Sequence, residues 1–133
     1  MKVSRIAATA LMCGLLCLVS AAVWAQTSGH QHQNYTSAQI QASNQTMGQA
    51  VSQLQTALSD LQSSSPNKKV CAEALRTAEQ TMKSALPIYH GKREQAMKDV
   101  HAAHEAVRAN NPSGAIGSVQ SAIGLAQQCA QGA

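Results

Sequence analysis

The chain has 133 residues, which is enough for one small domain once a targeting segment is removed. It contains no Phe, one Trp and two Tyr, so aliphatic residues and Met supply most of its 44% hydrophobic content. The shortage of aromatic residues argues against a β-barrel or a β-sandwich. Together with the absence of a basic run, it also argues against nucleic-acid binding.

The first 25 residues have the features of a secretory signal peptide. Lys2 and Arg5 form a positive amino-terminal region, residues 6–23 form an apolar stretch, and Val23-Trp24-Ala25 resembles a signal peptidase site. We expect cleavage after Ala25, a periplasmic or secreted location, and no membrane attachment afterwards. A retained anchor is the alternative, because about 18 apolar residues lie near the lower limit for a membrane span.

The mature chain would then comprise residues 26–133. Loss of Lys2 and Arg5 leaves eight basic and six acidic residues, and this small positive net charge requires no anionic partner. Residues 26–35 are polar and aperiodic, which predicts a disordered amino-terminal arm. Residues 36–131 are predicted to form a helical bundle.

Four stretches carry apolar residues at alternating spacings of three and four, which predicts four amphipathic helices. The first stripe consists of Ile40, Asn44, Met47, Val51, Leu54, Leu58 and Leu61. The second consists of Cys71, Leu75, Ala78, Met82 and Ala85. The third consists of Ala96, Val100, Ala103 and Val107, and the fourth of Ile116, Val119, Ile123, Ala126 and Ala130. No stretch alternates with a period of two, so the predicted class is all-α.

Three prolines mark the boundaries of the predicted helices. Ser65-Pro66 is expected to begin the second helix with Ser65 as its cap, and Asn111-Pro112 repeats this arrangement before the fourth. Leu86-Pro87 ends the second helix. Residues 87–91 either reverse the chain or only kink it. The prediction is therefore a four-helix bundle, or a three-helix bundle with one long proline-kinked helix.

Cys71 and Cys129 are the only cysteines of the predicted mature chain. An even pair in an exported protein favours a disulfide, and two buried free thiols are the alternative. In an up-down-up-down bundle, however, Cys71 begins the second helix and Cys129 ends the fourth. The two would then lie at opposite ends, so a bond would require a steep crossing, a different loop or a second chain.

A histidine-containing face is the candidate functional site. His90, His101 and His104 project within about 60° of one another around the third helix, close to Met97 and beside the apolar stripe. His101 and His104 are three residues apart, so both rings can reach one ion, and Met97 precedes His101 by four. Imidazole with thioether suits copper, whereas imidazole with carboxylate suits Zn²⁺, Cu²⁺ or Ni²⁺.

His30 and His32, on the predicted arm, are weaker candidate ligands for the same ion. The alternative is an ordinary solvated helix face. Arg108 projects into the same band and would oppose the binding of a cation.

The segment Tyr89-His90-Gly91-Lys92-Arg93, followed by Ala96, Val100-His101-Ala102 and Ala106-Val107, resembles a known sequence unit. It is similar to the repeated HGK…HA…A unit of small periplasmic metal-binding proteins, which are His-rich helical bundles. It also resembles the YHGHR-type hairpin of exported helical proteins of unknown function. The resemblance covers about 20 residues and implies a helical bundle that holds copper or another divalent metal. This chain has the unit once, five His in all, and two cysteines in its mature part.

No motif for catalysis is present: the sequence contains no CxxCH, GxSxG or HExxH pattern and no phosphate-binding glycine loop. We therefore expect a binding protein rather than an enzyme, with weak chelation of a divalent metal as the leading function. The alternative is a structural or interaction module, in which the low-charge face of the first helix docks a helical partner or a second copy. Asn44, which interrupts that helix's stripe, is the kind of residue that sets register in helix assemblies.

Overall fold

The computed structural model describes residues 34–132. The predicted signal peptide, His30 and His32 lie outside the described residues. The described part forms four helices and no strand: α1 (Ser37–Leu61), α2 (Lys68–Ser84), α3 (Lys92–Arg108) and α4 (Pro112–Ala130). The all-α prediction is therefore confirmed. None of these four helices is both long enough and apolar enough to cross a membrane.

The four helices form a closed ring in chain order. Each helix packs against the next one, and α1 also packs against α4. Arg93, near the start of α3, donates to the carbonyl of Ala85 at the end of α2. At the other end of the bundle, Cys71 near the start of α2 and Val107 near the end of α3 line one pocket, so these two helices run antiparallel. Residues 87–91 thus reverse the chain, so the four-helix alternative holds and a single kinked helix over both segments is wrong.

The reversal depends on two residues with positive φ immediately before α3. His90 has a φ of 47° and Gly91 a φ of 83°, in the left-handed region that glycine adopts without strain. The Arg93 guanidinium closes the turn by donating to the carbonyl of Ala85. The sequence Pro87 to Gly91 therefore forms a tight interhelical loop.

Asparagine side chains cap the starts of α2 and α4, with one difference from the prediction. Asn111 caps α4, since its Oδ1 accepts from the Gly114 N–H at 3.0 Å and Pro112 opens the helix. α2 is capped by Asn67 rather than Ser65, because the Asn67 Oδ1 accepts from both Lys69 N and Val70 N. Pro66 consequently lies before the helix and not at its first position.

Small residues dominate the core. Nine alanines are buried across the four helices and the end of α2: Ala50, Ala57, Ala78, Ala85, Ala96, Ala103, Ala115, Ala122 and Ala126. The larger fully buried side chains are few: Met47, Leu54, Leu75, Met82, Val100 and Val119. A core of this composition lets the helix backbones approach closely while burying little area per residue.

The abundance of small residues explains where the predicted stripes differ from the observed ones. The stripes of α2 and α3 are buried throughout, as predicted. On α4, however, Ala115, Ala122 and Cys129 face the interior, while Ile116, Ile123 and Ala130 lie half-buried at its flank. On α1, Ser43, Ala50 and Ala57 are buried, and Ile40, Asn44 and Leu58 are half-buried. Alanines thus lie where two helices contact each other, and the half-buried isoleucines and Leu58 lie at the edges of these contacts.

The expected disulfide between Cys71 and Cys129 is not formed, and both residues are buried free thiols. Cys71 lies beside Val107 at one end of the bundle. Cys129 lies at the other end, where its carbonyl faces Asn44 beside the loop that precedes α3. The rise along α3 between these two ends is about 20 Å at 1.5 Å per residue, which is far beyond the reach of a disulfide.

Candidate functional site

A groove of about 310 Å³ runs between α2 and α3, the pair of neighbouring helices with the smallest mutual contact. Leu75 and Val100 form its apolar base. Six polar side chains from the two helices line it: Arg76, Glu79, His101, His104, Glu105 and Arg108. The structure therefore brings His101 and His104 together in one concave surface.

The two histidines are accessible to a ligand. His101 is exposed, and the side chain of His104 retains 34% of its accessible surface. They lie on consecutive turns of α3, and the residue before each of them, Val100 and Ala103, is buried in the core. This placement leaves the imidazole rings at the wall of the groove and not inside the bundle.

Each carboxylate of the groove already has a cationic neighbour. Glu79 pairs with Lys83 on α2, and Glu105 pairs with Arg108 at 3.3 Å. The His104 Nδ1 also lies 3.9 Å from the Glu105 Oε1. Arg76 makes no ion pair within 4 Å among the described residues, so its guanidinium adds an uncompensated positive charge beside the histidines.

The other residues of the predicted histidine face lie elsewhere. His90 is exposed in the loop before α3, and the rise from Lys92 to His101 alone is about 14 Å. Two imidazoles on one ion sit about 2 Å from it, so His90 cannot share an ion with His101. Met97 is half-buried, and its side chain packs against the hydrophobic core. Projection around the helix placed all four residues on one face but did not account for their separation along it.

The donor set of the groove fits an open metal site and not a closed one. No group of three or more His, Cys, Asp or Glu residues converges within residues 34–132 in a geometry that would hold an ion. The protein donors at the groove are therefore two imidazoles, and the remaining coordination positions of a bound metal would be filled from solution. Such a site is expected to be weak, because a closed structural site uses four protein ligands.

A second polar cluster lies at the opposite end of the bundle. The hydroxyl of the buried Tyr89 donates to the Ser43 Oγ, which also accepts from the Leu86 N–H at 2.8 Å. The Asn44 amide, oriented with its Nδ2 inward, donates to the Tyr89 hydroxyl at 3.2 Å and to the Cys129 carbonyl at 3.3 Å. Asn44 thus joins α1 to the loop and to α4 within one molecule, which gives it a structural role inside the bundle.

Charge is divided unevenly between the helices. Every formally charged residue from position 34 to 132 except Asp60 lies in α2 or α3. Helices α1 and α4 are neighbours in the ring, and their exposed residues are mainly Gln, Ser, Thr and Gly. The bundle therefore has a charged half, formed by α2 and α3, and a neutral half, formed by α1 and α4.

Sequence reasoning did not identify Arg76 and Glu79 as groove residues. Both flank the apolar stripe of α2, where Leu75 and Ala78 are buried. A reversal of the chain at residues 87–91 makes α2 and α3 neighbours, so one flank of the α2 stripe must line the groove between them, but the reversal alone does not decide which flank.

Comparison of the chain with protein-family models, with curated proteins and with solved structures returned no match. The order and packing of the helices in residues 34–132 define an up-down-up-down four-helix bundle, and the function is argued from the surfaces described above.

Proposed function

We propose that this protein is an exported, non-catalytic binding protein that chelates a divalent metal ion, with Cu²⁺ the best fit, through His101 and His104. The observation that carries this proposal is the presence of two accessible imidazoles on consecutive turns of α3 within one groove. Export is inferred from the signal-peptide features of residues 1–25.

The chemistry of the donors favours copper among divalent ions. Imidazole nitrogen binds Cu²⁺, Ni²⁺ and Zn²⁺, and Cu²⁺ forms the strongest complexes with a given nitrogen site in the divalent series. Side chains three residues apart on a helix are neighbours on its surface, so the two rings can bind one ion without unwinding the helix. Glu105 lies 3.9 Å from His104, and its ion pair with Arg108 competes with donation of the paired oxygen to a metal.

The test is calorimetric titration of Cu²⁺ into the mature chain and its variants. We expect binding of one ion, and we expect the His101→Ala/His104→Ala variant to lose it. His90→Ala serves as the matched control because it removes an exposed imidazole outside the groove. Equal affinity in the double variant, or loss of binding in the control alone, would show that the groove is not the site.

A second candidate function is self-association through the neutral half of the bundle. The observation that favours it is the absence of charge from α4 and from all of α1 except Asp60. Two copies that meet through these helices would desolvate no ionised side chain at the centre of the contact, and all charges of α2 and α3 would stay in water. The partner proposed here is therefore a second copy of the same chain.

Sedimentation equilibrium tests this second candidate. Wild-type protein is expected to show a monomer–dimer equilibrium, and Gln55→Glu with Gln120→Glu is expected to shift it to monomer, since both residues are exposed on the neutral half. Lys69→Gln with Lys98→Gln, which lowers the net charge by the same two units on the charged half, is the control. A wild-type protein that remains monomeric at millimolar concentration would exclude the candidate.

A further inference from the structure

We infer that the groove between α2 and α3 takes its metal as an anionic polycarboxylate chelate, with His101 and His104 binding the metal and Arg76 and Arg108 contacting the carboxylates. This inference rests on the proposed metal-binding function and specifies the chemical form of the ligand. It follows from three features of the groove: the number of protein donors, the charge beside them and the space around them.

The number of donors leaves the metal incompletely coordinated. Within residues 34–132, no third His, Cys, Asp or Glu converges with the two imidazoles. Copper(II) favours a tetragonal arrangement of nitrogen and oxygen ligands. Two nitrogens from the protein therefore leave positions that a small chelating anion with carboxylate oxygens can occupy while it stays bound to the metal.

The charge beside the imidazoles opposes a bare dication and favours an anion. Arg76 approaches from α2 and Arg108 from α3, so the two guanidiniums flank the histidines from both sides of the groove. Among the lining residues, the two arginines balance the two glutamates in number. Glu79 is paired with Lys83, which lies outside the groove and adds one positive charge, so Arg76 is left without a carboxylate within ion-pair distance among the described residues.

The shape and chemistry of the groove suit such a complex. Guanidinium groups bind carboxylates through two parallel N–H···O hydrogen bonds, a geometry that a point charge cannot provide. The side chain of Arg108 is 68% exposed, so it can turn from Glu105 to a ligand without disturbing the core. The open volume of about 310 Å³ accommodates a small organic anion in addition to the metal.

The experiment compares three copper probes at low ionic strength: aqueous Cu²⁺, the uncharged Cu²⁺–iminodiacetate complex and the Cu²⁺–nitrilotriacetate complex, which carries one negative charge. Each is titrated into the mature wild-type chain, into Arg76→Gln/Arg108→Gln and into His101→Ala/His104→Ala. The control for loss of two positive charges is Lys69→Gln/Lys98→Gln, whose residues lie outside the groove. Circular dichroism confirms that each variant remains helical.

The arginine variant is expected to change the three affinities in different directions. Binding of the nitrilotriacetate complex should weaken about threefold relative to the iminodiacetate complex, and binding of aqueous Cu²⁺ should strengthen by a similar factor, because the two arginines attract an anion and repel a cation. The lysine control should show neither change. All three probes should lose binding in the histidine variant.

Two failures would be distinguishable. If binding depends on the histidines but the arginine variant alters all three affinities equally or not at all, the chelate inference is wrong and the proposed metal site stands. If no probe shows histidine-dependent binding, the proposed function itself is wrong, and the inference falls with it.

Discussion

The Tyr89 hydroxyl connects the loop between α2 and α3 to α1 through its contacts with Ser43 and Asn44. It donates to Ser43, which is also the acceptor for the Leu86 N–H, so one serine oxygen fixes two points of the loop. Burial raises the pKa of Tyr89, because desolvation disfavours the charged phenolate. This contact orients the turn that makes α3 antiparallel to α2.

Replacing Tyr89 with Phe is therefore expected to destabilise the fold. The ring would remain, but Ser43 and Asn44 would lose a buried partner, at a cost of about 1–2 kcal/mol in the free energy of unfolding. Urea denaturation followed by circular dichroism measures the change. A Tyr89→Phe protein as stable as the wild type would show that the hydroxyl does not hold the loop.

The two thiols should behave as inert core residues. Burial, followed by the neighbouring charge of Asp60, raises the pKa of Cys71 from 9.0 to about 11, and burial also raises the pKa of Cys129. At pH 8 a thiol reagent should label neither residue in the folded mature chain, whereas both should react once the chain is unfolded in urea. Absence of reactive thiols after unfolding would mean that the cysteines are oxidised.

The raised pKa of Cys71 also gives stability a defined pH dependence. A group whose pKa is higher in the folded state stabilises the fold fully below its ordinary pKa and loses that contribution as pH rises through the folded value. For Cys71 this loss runs from about pH 9 to about pH 11. Cys71→Ala should therefore flatten the alkaline decline in the free energy of unfolding. An alkaline decline identical to that of the wild type would contradict this assignment.

At the level of the helices, the sequence patterns predicted correctly that four helices form and in which order. They predicted less well which face of each helix is buried. The stripes of α2 and α3 predicted their buried faces because bulky and small apolar residues coincide there. On α4 the prediction placed the isoleucines on the buried face and did not include Ala115 and Ala122, which are buried. Hydrophobicity alone ranks isoleucine above alanine, whereas close helix packing reverses that order at the contact points.

The histidine site illustrates the same limit on prediction. The pairing of His101 with His104 could be predicted because it depends on spacing within one helix. The contributions of Arg76 and Glu79 could not, since they depend on which flank of α2 faces α3. The exclusion of His90 depends on distance along the axis, which an angular projection omits.

Glycines within α4 offer a direct test of helix energetics. Gly117 and Gly124 have open space where a Cβ atom would lie, so neither is required by packing within the chain. Replacing each with Ala should stabilise the protein by up to about 1 kcal/mol, because alanine loses less backbone entropy in a helix.

Gly91 is the matched control for these substitutions. Its Cβ position is equally open, but its φ of 83° is unfavourable for alanine, so Gly91→Ala should destabilise the protein. Thermal unfolding of the three variants measures the changes. Destabilisation by Gly117→Ala or Gly124→Ala in a monomeric sample would contradict the described environment of these residues.

For the molecule as a whole, the division into a charged half and a neutral half separates the two functional candidates in space. The groove with His101 and His104 lies on the charged half, and the surface proposed for self-association lies on the neutral half. Substitutions on one half should therefore leave the other function unchanged. The proposals can be tested independently on the same protein.

The most direct test of the metal-binding proposal is to locate bound Cu²⁺ by its paramagnetic broadening of backbone amide signals. The mature ¹⁵N-labelled chain would be titrated with substoichiometric Cu²⁺ and compared with the His101→Ala/His104→Ala variant. We expect broadening centred on residues 100–108 of α3 and on the facing turns of α2 around Arg76 and Glu79, and its loss in the variant. Broadening confined to the segment containing His30 and His32, or unchanged by the double substitution, would contradict the assignment of the site.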